Sequence, residues 1–201
     1  MLLVNDVEAF GLLKEKYGTN VPIYVEDLDT EQLRELHILE SSNEIKRFDL
    51  GVYYFPEKYA FGDSIINSRP VIVRKYITDG VEVYGYTAGL SLENLAGVST
   101  QIPRMWTITT NNALEDSFID TIGHSKVKLQ RSPTEITKYN VSALQFLELL
   151  SHTDPDQLEV YERLQLMQFQ AKLNPSYELM KQYYGLYPNA IDNAGKVGIY
   201  L

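Results

Sequence analysis

The chain has 201 residues, 44% of them hydrophobic and 22% charged, which excludes a disordered or fibrous class and predicts one sizeable core or a small module joined to a larger one. The absence of cysteine excludes disulfides and thiolate metal sites. The formal net charge of -9 sets the averaged field against nucleic acid, and the excess is uneven: residues 1–56 hold 11 acids and 5 bases, residues 57–201 hold 16 and 13.

The opening segment, Met1 to Asp6, has no basic region and meets an acid before a leader core could form, and no later apolar run is long enough to cross a bilayer. A cytoplasmic location without membrane contact is expected. Leu3, Val7, Phe10, Leu13 and Tyr17 recur at helical spacing, with Asn5 or Asp6 as N-cap and Gly18 as the stop. Val21–Val25 reads as a short strand. Asp29, with Gln32 three residues on, then forms a reciprocal cap for a helix running to about Ser41.

Glu44–Phe48 and Val52–Pro56 are β-rich runs around the turn Asp49-Leu50-Gly51, the pattern of a hairpin. Helix, short strand, helix and hairpin within residues 1–56 follow the order of a winged-helix module. Residues 57–68 read as a connector, and residues 69–201 as a second, mixed α+β domain. Val71–Ile77 is either helix or strand, because so short an apolar run does not decide. Val81–Tyr86 reads as strand or extended chain, Thr87–Ala96 as a helix stopped by Gly97, Arg104–Thr110 as the clearest strand, and Lys126–Gln130 as a half-exposed strand. A helical part spans about 141–184, beginning with Ala143, Leu147 and Leu150 on one face. Helices at about 156–173 and 176–184 follow the break at Pro155, and Leu186–Leu201 reads as an irregular tail. The fold class expected is α+β.

The sequence lacks both the P-loop and the dinucleotide-binding glycine patterns, and no serine has the G-x-S-x-G frame. His37, His124 and His152 have no ligand-type spacing, so no metal and no cofactor is expected. Asp116 with Asp120, and Glu159 with Glu162, are spaced to share a helical face as paired carboxylates, although such pairs are common on solvated helices. Lys126 and Lys128 lie on a strand without the glutamate that a carboxylate-and-lysine nuclease needs. The expectation is therefore that the chain is not an enzyme. Fifteen tyrosines are many for this length, suiting strand cores and rims or a partner surface.

The stretch Gly85-Tyr86-Thr87-Ala88-Gly89-Leu90-Ser91-Leu92-Glu93-Asn94-Leu95-Ala96-Gly97-Val98-Ser99-Thr100-Gln101-Ile102-Pro103 resembles the central signature of AbiE-type abortive-infection antitoxins. In these a small-residue helix leads into a Gly-hydrophobic-Ser/Thr-Thr-Gln-hydrophobic-Pro turn. Gly51-Val52-Tyr53-Tyr54-Phe55-Pro56 is similar to the family's end-of-wing segment and Val141–Leu150 to its following helix. The turn residues Gly97, Ser99, Thr100, Gln101 and Pro103 suit a scaffold: a helix stop, a polar turn that bonds its own backbone, and a proline-led entry into the next strand. The resemblance implies a winged-helix domain that represses its own operon, and a second domain that counteracts a nucleotidyltransferase-like toxin encoded alongside, in pairs that limit phage infection.

Of the residues that would touch promoter DNA, Gln32 and Arg34 belong to the DNA-binding helix and Lys46 and Arg47 to the wing. Arg69, Arg74, Lys75, Lys126, Lys128 and Arg131 form a patch in the second domain. The helix segment Thr30–Glu35 departs from the usual pattern by offering one base against two acids. The competing reading is a non-enzymatic interaction module that keeps the winged-helix shape and has lost DNA binding; a nuclease-like enzyme ranks third.

Overall fold

A computed structural model describes residues 11–199 and gives a mixed α+β protein. Two compact units emerge, one running to Val71 and taking in Ile122–Ser125, the other comprising Ile72–Thr121 and the chain from Lys126 on. The first turns of the predicted N-terminal helix, with Asn5 and Asp6, lie outside the described residues.

In the first unit, α1 (Leu12–Tyr17) ends at Gly18, whose φ of 72° is the conformation that only glycine adopts freely. β1 (Ile23–Tyr24) and a single 3-10 turn (Val25–Asp27) precede α2 (Thr30–Ser41), which carries the predicted cap: Asp29 accepts from the Glu31 and Gln32 amides at 2.9 Å and Gln32 returns the bond. β2 (Lys46–Asp49) and β3 (Val52–Tyr54) form the hairpin, and β1 adds to its far side, giving an antiparallel sheet of order β1-β3-β2. Leu13, Ile23, Leu36, Leu39, Ile45 and Phe55 fill the core between helices and sheet. Residues 57–68, expected as a connector, carry a small hairpin of β4 (Lys58–Tyr59) and β5 (Gly62–Asp63), tied down by the Tyr54 hydroxyl donating to the Ser64 carbonyl at 2.9 Å.

The undecided run after Ser68 is helical: α3 spans Ser68–Tyr76. In the second unit, β6 (Gly85–Thr87), β7 (Trp106–Thr110), β8 (Ser117–Ile122) and β9 (Ser125–Arg131) form a sheet of order β6-β7-β9-β8, in which β6 runs antiparallel and β9 parallel to β7. α4 (Gly89–Ala96) stops at Gly97 in the left-handed conformation, as expected. α5 (Val141–His152) is buried nearly all round, from Ala143 through Leu150, which marks it as the central helix against which α4, α6, α7, α8 and β6 pack.

The C-terminal part departs from expectation in two places. α6 (Val160–Leu173) begins later than predicted, because Glu159 and Glu162 form its cap, the Glu159 amide donating to Glu162 Oε2 at 3.0 Å; α7 is Tyr177–Tyr183. The tail is not irregular. α8 (Ala190–Lys196) lays buried Ala190 and Ala194 against α5, and Asn193 donates to the Leu150 and Thr153 carbonyls at 2.8 and 2.9 Å, satisfying the end of that helix. No helix of the described residues is long and apolar enough to cross a membrane.

Candidate functional site

The residues expected to contact DNA fall into separate environments. On α2, Leu36 and Leu39 face the core and Arg34 and His37 face outward. Glu35, counted from the sequence among the exposed acids of this helix, is 5% exposed and accepts the Leu13 amide at 3.3 Å, so it caps the start of α1 instead of facing solvent. Burial raises its pKa above the ordinary carboxylate value, and the Leu13 amide opposes that shift. The outward face of α2 therefore carries Arg34, His37 and Glu31, less acidic than the linear sequence implies. Gln32 has its carbonyl engaged by the cap.

On the β2–β3 hairpin, Arg47 is exposed and donates through Nε to the Asp49 carbonyl at 3.3 Å, while the Lys46 ammonium lies 2.7 Å from the Asp63 carboxylate of β5. That pair holds Asp63 below the usual carboxylate range. In the second unit, Lys75 pairs with Asp120 at 3.1 Å and Arg131 donates to the Leu114 carbonyl at 2.7 Å, with Asp116 3.7 Å away. Lys126 and Lys128 share one face of β9, whereas Arg131 has the parity of Val127 and Leu129, so these three bases do not form a single row. Arg69 and Lys75 are exposed and Arg74 half-buried.

The proposed carboxylate pairs dissolve. Asp120 lies on β8 and Asp116 in the bend just before it, so the two do not share a helix. Asp116 is fully exposed; Asp120 accepts from the Tyr76 hydroxyl and from Lys75. Burial opposes the ionised form of Asp120, but these two donors outweigh it and keep its pKa below the ordinary value. Glu159 and Glu162 are spent on the cap of α6.

The signature turn closes on itself. Gly97 and Val98 return their amides to the Asn94 and Glu93 carbonyls, Gln101 donates its amide to Ser99 Oγ at 3.2 Å, and Asn94 Nδ2 bridges the carbonyls of Ser99 and Gln101. Thr100 and Gln101 are exposed and Pro103 half-buried ahead of β7. Ser91 Oγ then joins the two sides, accepting the Thr107 amide at 3.1 Å. Each of these bonds holds backbone, which fits a scaffold.

A buried polar centre that the sequence reading did not single out lies on α5. Glu148, 7% exposed, accepts the Gly89 amide through Oε1 at 3.3 Å and the Thr109 hydroxyl through Oε2 at 3.2 Å. Gly89 opens α4, whose N-cap Ala88 supplies no side-chain bond, so a carboxylate from another helix occupies the electropositive end. One turn earlier on α5, Gln145 donates to the Thr87 carbonyl at 3.2 Å, and at the helix end His152 Nδ1 donates to the Glu148 carbonyl at 3.0 Å. The Tyr86 and Tyr187 hydroxyls lie 3.0 Å apart beside this carboxylate. Burial first, then the Glu148 charge, pushes Tyr86 well above the usual phenol value; burial pushes Tyr187 up to about 12.

Among the described residues no lysine or arginine pairs with Glu148. The residue lines a cleft of about 430 Å3 together with Thr109, Gln130, Ser151, Tyr187 and Pro188. The one signal in the sequence is a lone acid in the apolar run Leu144-Gln145-Phe146-Leu147-Glu148-Leu149-Leu150.

No family model matches the chain, and no curated protein matches it. Among the described residues no three histidine, aspartate or glutamate side chains converge as a cation site.

Proposed function

We propose that this chain is the antitoxin of an AbiE-type abortive-infection pair: a winged-helix unit that binds the promoter of its own operon, and a second unit that counteracts a nucleotidyltransferase-like toxin. The observation that carries the reading is the route of the first unit, in which α2 leads directly into a hairpin whose inner strand β3 also pairs with β1. That is the element order of a winged helix, with the 3-10 turn Val25–Asp27 in the place of its second helix and α2 in the place of the recognition helix. The inward Glu35 supports the same reading, because it takes one acid off the face that would meet DNA. In the second unit the self-bonded turn from Gly97 to Pro103 suits the scaffold role that the resemblance implies. The reading places the chain in the cytoplasm. It is tested by whether the intact chain restores growth to cells poisoned by the product of the adjacent gene.

A second reading is favoured by the ion pairs: Lys46 with Asp63 and Lys75 with Asp120 neutralise cations that phosphate contact would use. On this reading the winged-helix shape serves protein contact only. Measured association with the upstream DNA separates the two, since phosphate binding weakens steeply with salt.

A further inference from the structure

We propose that the cleft at Glu148 is a binding site for an organic cation, a guanidinium or primary ammonium group on a short aliphatic stem. Glu148 is nine-tenths buried at the cleft wall, and its carboxylate meets three uncharged donors, the Gly89 amide on Oε1, the Thr109 hydroxyl on Oε2, and the Tyr86 hydroxyl. An ionised carboxylate offers about four acceptor positions, so bonding capacity remains. Burying that charge without a partner cation costs free energy that a bound cation recovers.

The two basic side chains along the cleft are engaged elsewhere. Arg131 turns its guanidinium to the Leu114 carbonyl and Asp116, and His152 spends Nδ1 on the backbone carbonyl of Glu148. Gln130, half-buried on β9 in register with Thr109, adds a side-chain carbonyl that forms no bond among the described residues, and the Tyr187 and Pro188 walls suit an aliphatic stem. A volume of about 430 Å3 is in the range that holds a small organic ligand. The proposal does not depend on the antitoxin reading.

Calorimetric titration of the full chain with agmatine, and separately with a blocked Gly-Arg-Gly peptide, tests it and distinguishes a free cation from an arginine side chain. At least one probe should bind and raise the melting temperature, and E148Q should weaken it by about tenfold or more, the loss expected when a hydrogen bond to a charged group becomes one to a neutral amide. Q130L, on the cleft rim, should weaken binding several-fold and carries the test if E148Q does not fold. No binding of either probe to the wild-type chain, or binding that neither folded variant weakens, overturns the proposal.

Discussion

The hydroxyls of Tyr86 and Tyr187 lie 3.0 Å apart across 101 residues of chain, tying the first strand of the larger sheet to the segment that leads into α8. Both phenols hold their protons more tightly in the folded state than the ordinary value of 10, Tyr187 up to about 12. Below pH 10 folded and unfolded chains bind these protons alike. Between pH 10 and 12 only the unfolded chain releases them, so stability falls as pH rises. Urea midpoints should decline over that range, and Tyr187→Phe should show a shallower decline while losing about 1 kcal/mol at neutral pH. An unchanged alkaline slope would refute the assignment.

Gly85 is required by close approach and not by its backbone angle. A Cβ there would sit 1.9 Å from the Tyr76 carbonyl oxygen and 3.0 Å from that of Thr109. Backbone on both sides cannot yield cheaply, so Gly85→Ala should cost about 3 kcal/mol, the upper end of overpacking. Gly97→Ala meets only the flexible Gln165 side chain, at 3.2 Å, but forces a left-handed φ of 75° on alanine. It should cost about 1 kcal/mol. Thermal denaturation of the two variants side by side gives the ranking.

Asp29→Ala removes the acceptor for two amides at the start of α2 and should destabilise the first unit by about 1 kcal/mol, with Asp29→Asn recovering most of it. Urea unfolding followed by circular dichroism measures both.

The elements written plainly in the sequence were those fixed by neighbours: the Asp29–Gln32 box, the hairpin around Gly51, the Gly97 stop and the alternation of β9. Spacing alone misled at Asp116 and Asp120, because a four-residue interval pairs side chains only where the chain between them is regular, and here it bends at Asp116 before entering β8. α8 escaped because its reason to exist is tertiary: Ala190 and Ala194 let it approach α5, and Asn193 bonds the end of α5. The polar centre at Glu148 draws on α4, α5, β6 and β7, which no local pattern brings together. The inward turn of Glu35 likewise depends on the Leu13 amide, 22 residues away.

If α2 and the hairpin contact DNA, the affinity of the full chain for the region upstream of its gene should fall linearly in log-log form with salt. R34A/R47A should lower that slope by about 2, roughly one for each phosphate no longer neutralised. Binding insensitive to salt, or none at all in dilute salt, would favour the interaction-module reading.

The most direct test of the antitoxin claim is the growth of cells expressing the adjacent gene, alone, with the full chain, and with its R34A/R47A variant. Growth arrest relieved by the full chain, and equally by the variant when both are expressed from a foreign promoter, is the predicted result, because neutralisation is assigned to the second unit. A toxic neighbour that the intact chain leaves toxic would contradict the account.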